Sequence, residues 1–271
     1  MHNINSEHPY DQLTPDFVLD AVESIGLETD SRILSLNSYE NRVYQVGIEE
    51  SLPLIAKFYR PFRWTKEAIL EEHQFTQNLL AQDISVVSPL EIQGATLHHF
   101  QGFYFTLFPR QGGHAPEVDN ADTLFRIGRN IGRIHQSAGE QIFEHRKTLS
   151  VQEWATESRQ FLLENDFIPS SLIPAYETLS KDIIEKIKTV GNLTSFKPIK
   201  LHGDCHLGNI IRRGDASFHL IDLDDMVMGP EVQDIWLAIP GVDQYAIQDR
   251  AILLEAYETM RPFPREQQCR D

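Results

Sequence analysis

Apolar positions follow two different rhythms along this chain, and the change comes near residue 110. In the first stretch they come in short runs. Val43-Tyr-Gln-Val46, Leu54-Ile-Ala-Lys-Phe-Tyr59, Val86-Val87 and Phe103-Tyr-Phe-Thr-Leu-Phe108 are rich in β-branched and aromatic residues, which predicts strands. Two helical patterns interrupt them. Thr14-Pro15-Asp16 is a start signal, with Phe17, Ala21, Val22 and Ile25 on one face and Gly26 as the stop. Glu67 to Leu80 predicts a second helix, with Ile69, Leu70, Phe75, Leu79 and Leu80 as its apolar positions. Pro109-Arg-Gln-Gly-Gly113 then breaks the chain as a hinge would.

Beyond the break the spacing becomes helical. Leu124, Ile127, Ile131 and Ile134 share one face of residues 122–135. Residues 154–163, 172–187 and 232–239 also predict helix, and Phe218-His-Leu-Ile221 predicts a short strand. The expectation is an α+β protein of two lobes, a strand-rich N-lobe over residues 1–110 and a mostly helical C-lobe over 111–271.

Composition narrows the partners. The 271 residues suffice for two lobes and a sizeable core. A net charge of −16 argues against DNA, RNA or anionic membrane, which need a basic footprint. It leaves ATP open, because phosphates are handled locally by a metal and one or two cations. Cys205 and Cys269 give no disulfide framework and suit a reducing compartment. The first ten residues lack a basic segment followed by an apolar one, and no apolar run reaches the length of a membrane span. The expectation is a cytoplasmic monomer without nucleic-acid or membrane partners.

The chemistry gathers in two segments, Leu201-His-Gly-Asp-Cys-His-Leu-Gly-Asn209 and Ile221-Asp-Leu-Asp224. Asp204 and Asn209 have the Asp-x-x-x-x-Asn spacing of a catalytic loop for phosphoryl transfer. A hydroxyl is a poor nucleophile, so a carboxylate must orient it and take its proton. Mg²⁺ prefers hard oxygen donors, and an amide oxygen provides one without further charge. Gly203 and Gly208 would let the loop bend. Two rival readings apply: an ordinary loop in which Asp204 caps a helix, and a zinc site on His202, Cys205 and His206. The next carboxylate shifts the balance. Asp222 directly follows a strand pattern, eighteen residues after Asp204, where a second metal-binding aspartate belongs. Asp224 and Asp225 stand close enough to be confused with it, and a merely solvated turn fits Asp225 best.

Lys57 is the one cation in an apolar strand pattern. It either ends on an exposed edge or reaches phosphates together with a helix glutamate, for which Glu72 is preferred and Glu71 is the alternative. No Gly-x-Gly-x-x-Gly and no Walker-type loop occurs. Instead Leu36-Asn-Ser-Tyr-Glu-Asn-Arg-Val-Tyr44 offers backbone N–H groups and Ser38 as phosphate contacts, although Ser38 reads equally as a turn serine. His98-His99 reads as a turn pair and His135 as a structural histidine. Trp64 and Phe62 either cover a nucleotide or close the lobe. Asp234 either braces the catalytic loop through its N–H groups or lies on a helix surface.

These segments, with Asn37-Ser-Tyr-Glu-Asn-Arg-Val-Tyr-Gln45, Lys57-Phe-Tyr-Arg-Pro61 and Glu71-Glu-His-Gln-Phe75, resemble the aminoglycoside phosphotransferase and choline kinase-like branch of the protein-kinase fold. The resemblance runs over roughly residues 10 to 258. It implies a two-lobed kinase using ATP and Mg²⁺, specifically a Ser/Thr protein kinase of the cytoplasm acting under stress. By matching motifs it implies Asp204 as proton acceptor, Asn209 and Asp222 as Mg²⁺ ligands, and Ser38 as an ATP contact. Gly203 stands where typical protein kinases carry the arginine that couples this loop to a phosphorylated activation segment, so such switching is not expected. Family members continue with further helices after the segment matching Ala256-Tyr-Glu258, and the C-lobe is expected to be incomplete here. A small-molecule hydroxyl kinase, or a nucleotide binder without turnover, would share the same site.

Overall fold

The computed structural model describes residues 10–118, 120–139, 141–190, 197–214 and 217–264. Cys269 and the tail from residue 265 lie outside these spans. Helix α1 (Pro15–Glu23) starts as predicted: the Thr14 side chain accepts from the Phe17 N–H, and proline occupies the first turn. There follow β1 (Thr29–Leu36), β2 (Arg42–Ile48), β3 (Leu54–Phe58), α2 (Lys66–Ala81), β4 (His98–Phe100) and β5 (Phe103–Pro109). The strands form one antiparallel sheet in the order β1-β2-β3-β5-β4. Lys57 therefore lies on the central strand, opposite Val43 on one side and Thr106 on the other. Helix α1 covers the sheet through Val18, Ala21 and Val22, which join Val46, Phe58, Phe105 and Leu107 in one apolar cluster.

Beyond the break come α3 (Ala121–Ala138), a π-helical turn (Gln152–Glu157) running into α4 (Ser158–Glu164), and α5 (Ile173–Val190). Strands β6 (Ile199–Leu201), β7 (Ile210–Arg212), β8 (Phe218–Leu220) and β9 (Val227–Gly229) pair antiparallel as β6-β9 and β7-β8. Helices α6 (Val232–Ala238) and α7 (Gln244–Glu258) complete the described chain. Leu124, Ile127, Ile131 and Ile134 of α3 pack as predicted, and Leu253, Leu254 and Tyr257 of α7 meet them in the second cluster. The two helices approach at Gly128, where a Cβ would lie 2.1 Å from the Leu253 carbonyl oxygen. The architecture is α+β, an antiparallel sheet followed by a helical body, and the sheet-to-helix change at Pro109–Ala121 supports our proposal of a lobe boundary near residue 110.

Several sequence expectations need correction. His98-His99 is strand, not turn: His98 pairs with Phe105, their rings 5.4 Å apart, because a short hairpin at Gln101-Gly102 returns the chain onto β5. Val86-Val87 forms no sheet strand; Val86 makes one parallel bridge to Leu220 and so joins the end of α2 to the helical body. Leu70 and Leu80 are exposed, at 38% and 52%. The buried face of α2 instead carries Glu72, His73 and Thr76 beside Ile69, Phe75 and Leu79, since polar partners wait for those side chains. His73 hydrogen-bonds Tyr59 Oη and Thr96 Oγ1.

Candidate active site

Strand β3 is buried on both sides, so Lys57 is only 4% exposed. An ammonium taken out of water needs counter-charges, and three carboxylates supply them: Asp222 at 2.9 Å, Asp224 at 3.3 Å and Glu72 at 3.9 Å. Burial alone would lower the lysine pKa, but these neighbours outweigh it and hold the pKa well above its ordinary value. Of the two helix glutamates, Glu72 lies beside Lys57, whereas Glu71 accepts the N–H groups of Glu144 and His145. Burial raises the Glu72 carboxyl from 4.5 to about 7, with Lys57 and Arg146 pulling the other way.

Asp222 lies two residues beyond β8, at the start of the turn Leu223–Asp225, in the left-handed region with φ 54°, and its side chain is half-exposed. The backbone brings it to Asn209: β7 and β8 pair Ile210 with Leu220, and the Ile221 N–H donates to the Asn209 carbonyl at 3.0 Å. The Asn209 amide in turn donates through Nδ2 to Asp204, at 2.9 Å to the carbonyl and 3.2 Å to Oδ2. Asp204, Asn209, Asp222 and Lys57 thus form one connected group. Its donor set, one amide and one half-exposed carboxylate, suits a hard divalent cation.

The loop from His202 is held from behind. Asp234 accepts the N–H groups of His202 and Gly203, both at 2.9 Å, and also bonds His135 Nε2 at 2.9 Å. Of the two readings of Asp234, the bracing one fits this geometry. Burial disfavours its charge, yet the His135 hydrogen bond and further neighbours keep its pKa below the ordinary value. His135 reaches α7 through Tyr257 Oη at 3.0 Å. Gly203 has φ 83°, and a Cβ there would lie 2.0 Å from the Asp225 carbonyl oxygen. Gly208 differs from expectation. It does not take a positive φ, and its missing side chain makes room for the His206 imidazole. The zinc alternative finds no support. Cys205 is sealed in the second apolar cluster with its thiol pKa pushed well up by burial, and His202 donates to the Ile221 carbonyl. Among the described residues no three His, Cys, Asp or Glu side chains are grouped as such a zinc site would need.

The loop Asn37–Asn41 meets this cluster through Glu40 and Asn41. Asn41, 3% exposed, donates to Asp224 Oδ2 at 3.1 Å and accepts the Arg60 N–H. Arg63 links Glu40 at 2.8 Å to Asp225, so Asp225 is ion-paired rather than merely solvated. Ser38 sits half-buried on the loop, Phe62 is fully exposed, and Trp64 stacks on Arg146. Sequence reasoning missed Asn41, Arg63, Asp224 and Arg146 as members of the cluster. Only the acidic repeat Asp222-Leu-Asp-Asp225 hinted at one of them.

The chain matches the phosphotransferase enzyme family over residues 32–267. It is 40% identical over 259 residues to stress response kinase A of Escherichia coli (strain K12), covering 96% of this chain and 78% of that protein. It is 36% identical over 254 residues to serine/threonine protein kinase RdoA of Salmonella typhimurium, covering 94% and 76%. Among solved structures, amicoumacin kinase hAmiN in complex with AMP-PNP, Ca²⁺ and Ami superposes with TM-score 0.73 at 19% identity, over 94% of this chain and 79% of that one. A microcompartment-associated aminopropanol kinase gives TM-score 0.70 at 16% identity, over 92% and 82%. Among the described residues no helix is long and apolar enough to cross a membrane.

Proposed function

This chain belongs to the phosphotransferase enzyme family, and from that premise we propose that it transfers the γ-phosphoryl group of ATP to the hydroxyl of a serine or threonine in a protein. One juxtaposition carries this reading: β3 delivers Lys57 to Asp222 while the loop after β6 holds Asp204 against Asn209. Asp204 is 40% exposed at its side chain, within reach of an acceptor. Its carboxylate orients the hydroxyl and takes the proton as the oxygen–phosphorus bond forms and the bond to the leaving ADP breaks. Lys57 turns its charge to the phosphates, with Glu72 and Asp224 keeping the ammonium in place. Ser38 and the backbone of Asn37–Asn41 close over the phosphates. Asn209 and Asp222 would hold Mg²⁺, which when bound would neutralise phosphate charge. Catalysis is then mostly positioning and charge stabilisation.

The protein acceptor is supported by the 36%-identical relative named a serine/threonine protein kinase; the net charge of −16 suits basic peptides and cationic small acceptors alike. We place the chain in the cytoplasm as a monomer, and a role under stress is in line with the names of its relatives. The test is transfer from radiolabelled ATP with Mg²⁺. Label on the chain itself or on a basic protein is the expected result. Label only on a small alcohol would redirect the proposal to a small-molecule kinase, and nucleotide binding without transfer would overturn it. Asp204→Ala should abolish transfer and leave ATP binding intact; wild-type activity in that variant removes Asp204 from its role.

A further inference from the structure

We infer that Arg146 is a positioning residue: it locks α2, and with it Glu72, against the Asp222–Asp224 turn, so that no phosphorylated group is needed to set the Lys57–Glu72 pair. The inference rests on the phosphotransfer reading above.

Arg146 lies in the segment after α3, and its guanidinium donates to three acceptors. Nε reaches the Ala68 carbonyl at 2.8 Å, Nη2 reaches Glu72 Oε2 at 3.2 Å, and Nη1 bonds the Asp224 carbonyl. Its face lies on the Trp64 ring, 4.2 Å from the centroid, and its side chain is 0% exposed. Ala68 and Glu72 belong to α2, and Asp224 to the turn after Asp222. One planar fork therefore fixes the distance between helix and turn, and a point charge such as lysine could not hold all three acceptors.

The division of labour on Glu72 points the same way. Its Oε1 stands 3.9 Å from Lys57, too far for a hydrogen bond, while Oε2 is held by Arg146 at 3.2 Å. The lysine thus does not hold the glutamate; the arginine does. The preceding glutamate strengthens the grip, because Glu71 accepts the N–H groups of Glu144 at 2.6 Å and His145 at 2.9 Å. In protein kinases the lysine–glutamate pair is set by helix position, which activation-loop phosphorylation controls. Here Gly203 replaces the arginine that would read such a phosphate, and a buried arginine supplies the constraint from a different segment.

The experiment compares wild type with Arg146→Gln, Arg146→Lys, Glu72→Gln and the Arg146→Gln/Glu72→Gln pair in the full chain. Amide hydrogen exchange over residues 66–76 reads the lock directly, and steady-state transfer separates kcat from KM for MgATP. Arg146→Gln should speed exchange in α2 and lower kcat at least about tenfold with KM changed less than about threefold. Arg146→Lys should not restore kcat. On the Glu72→Gln background the arginine change should add less than about threefold. Phosphatase-treated wild type should keep its full rate. Unchanged α2 exchange in both arginine variants overturns the lock, as do additive effects in the cycle or loss of rate after phosphatase. If Arg146→Gln fails to fold, the lysine variant and the phosphatase arm decide. Wild type without transfer sinks the proposed function instead, and the exchange comparison still judges the lock.

Discussion

Lys57 Nζ lies 2.9 Å from Asp222 Oδ1, which ties the central strand of the sheet to the turn after β8 across 165 residues of chain. The contact is part of a buried charge group in which Glu72 and Asp224 share the same ammonium. Lys57→Met removes a cation that three carboxylates use. Breaking a buried pair by deleting one partner costs about 3–5 kcal/mol. Arg146 and Arg63 remain as counter-charges, so a loss of about 3 kcal/mol in urea-unfolding stability is expected. Transfer should fall with it, and an unchanged rate would remove Lys57 from phosphate placement.

Asp234 makes a second prediction. Its carboxylate takes two loop N–H groups and His135, and hydrogen bonds to charged acceptors are worth about 1.5–3 kcal/mol each. Asp234→Ala should cost about 4 kcal/mol and speed amide exchange at His202 and Gly203. The folded pKa is depressed below 3.8, so the unfolded chain binds the proton first as pH falls. The stabilisation is complete above about 3.8 and lost as pH drops through the lower folded value. Denaturant melts of wild type and mutant should converge only in that acid range.

Glu72 carries the opposite sign. Its folded pKa is raised from 4.5 to about 7, so between these values the folded chain holds a proton that the unfolded chain has lost. Stability from this group falls as pH rises through the window. The groups facing it are Lys57 on β3, Arg146 after α3, and Asp222 and Asp224 on the turn, with Tyr59 close by. Glu72→Gln should flatten the slope of unfolding free energy between about pH 5 and about pH 7. A slope unchanged by the substitution would show that the carboxyl ionises normally.

Gly203→Ala tests the close approach of loop and turn. The left-handed conformation alone costs an alanine about 1–2 kcal/mol. Gly94, at φ 79° with nothing within 4 Å of its missing Cβ, provides the control for that strain. At Gly203 the added methyl also meets backbone oxygen at 2.0 Å, which no side-chain rotation relieves. Gly203→Ala should therefore cost at least about 2 kcal/mol more than Gly94→Ala in thermal or urea unfolding. Equal costs would mean that the turn shifts freely.

The elements with strong local signals were legible in the sequence. Thr14-Pro15 announced α1, and the spacing from Leu124 to Ile134 announced α3, because capping and periodicity are local properties. Strand β1 was not legible: Ser31 has φ 64°, the register shifts there, and half of the strand is exposed, so no clean alternation marks it. Strands β6, β7 and β9 have three residues each, as does β8, but only β8 stood out, through its aromatic and apolar run Phe218-His-Leu-Ile221. Helix α7 went unread because its burial is set by α3 rather than by its own weak apolar stripe. In the site, Asp204, Asn209, Asp222, Lys57 and Glu72 carried recognisable spacing. Arg146 did not, since His145-Arg-Lys147 reads as a surface basic run until Glu72, Ala68 and Asp224 surround it. Long-range acceptors leave no trace in local sequence.

Cys205 follows Asp204 directly, yet its side chain is 0% exposed and its thiol is chemically quiet. The loop therefore contains its own reporter. A thiol-reactive dye can reach Cys205 only while the segment around Asp204 lifts away from the core, so the labelling rate counts those openings. With Cys269→Ser to silence the other cysteine, the catalytic segment can be timed in solution without a substrate in hand.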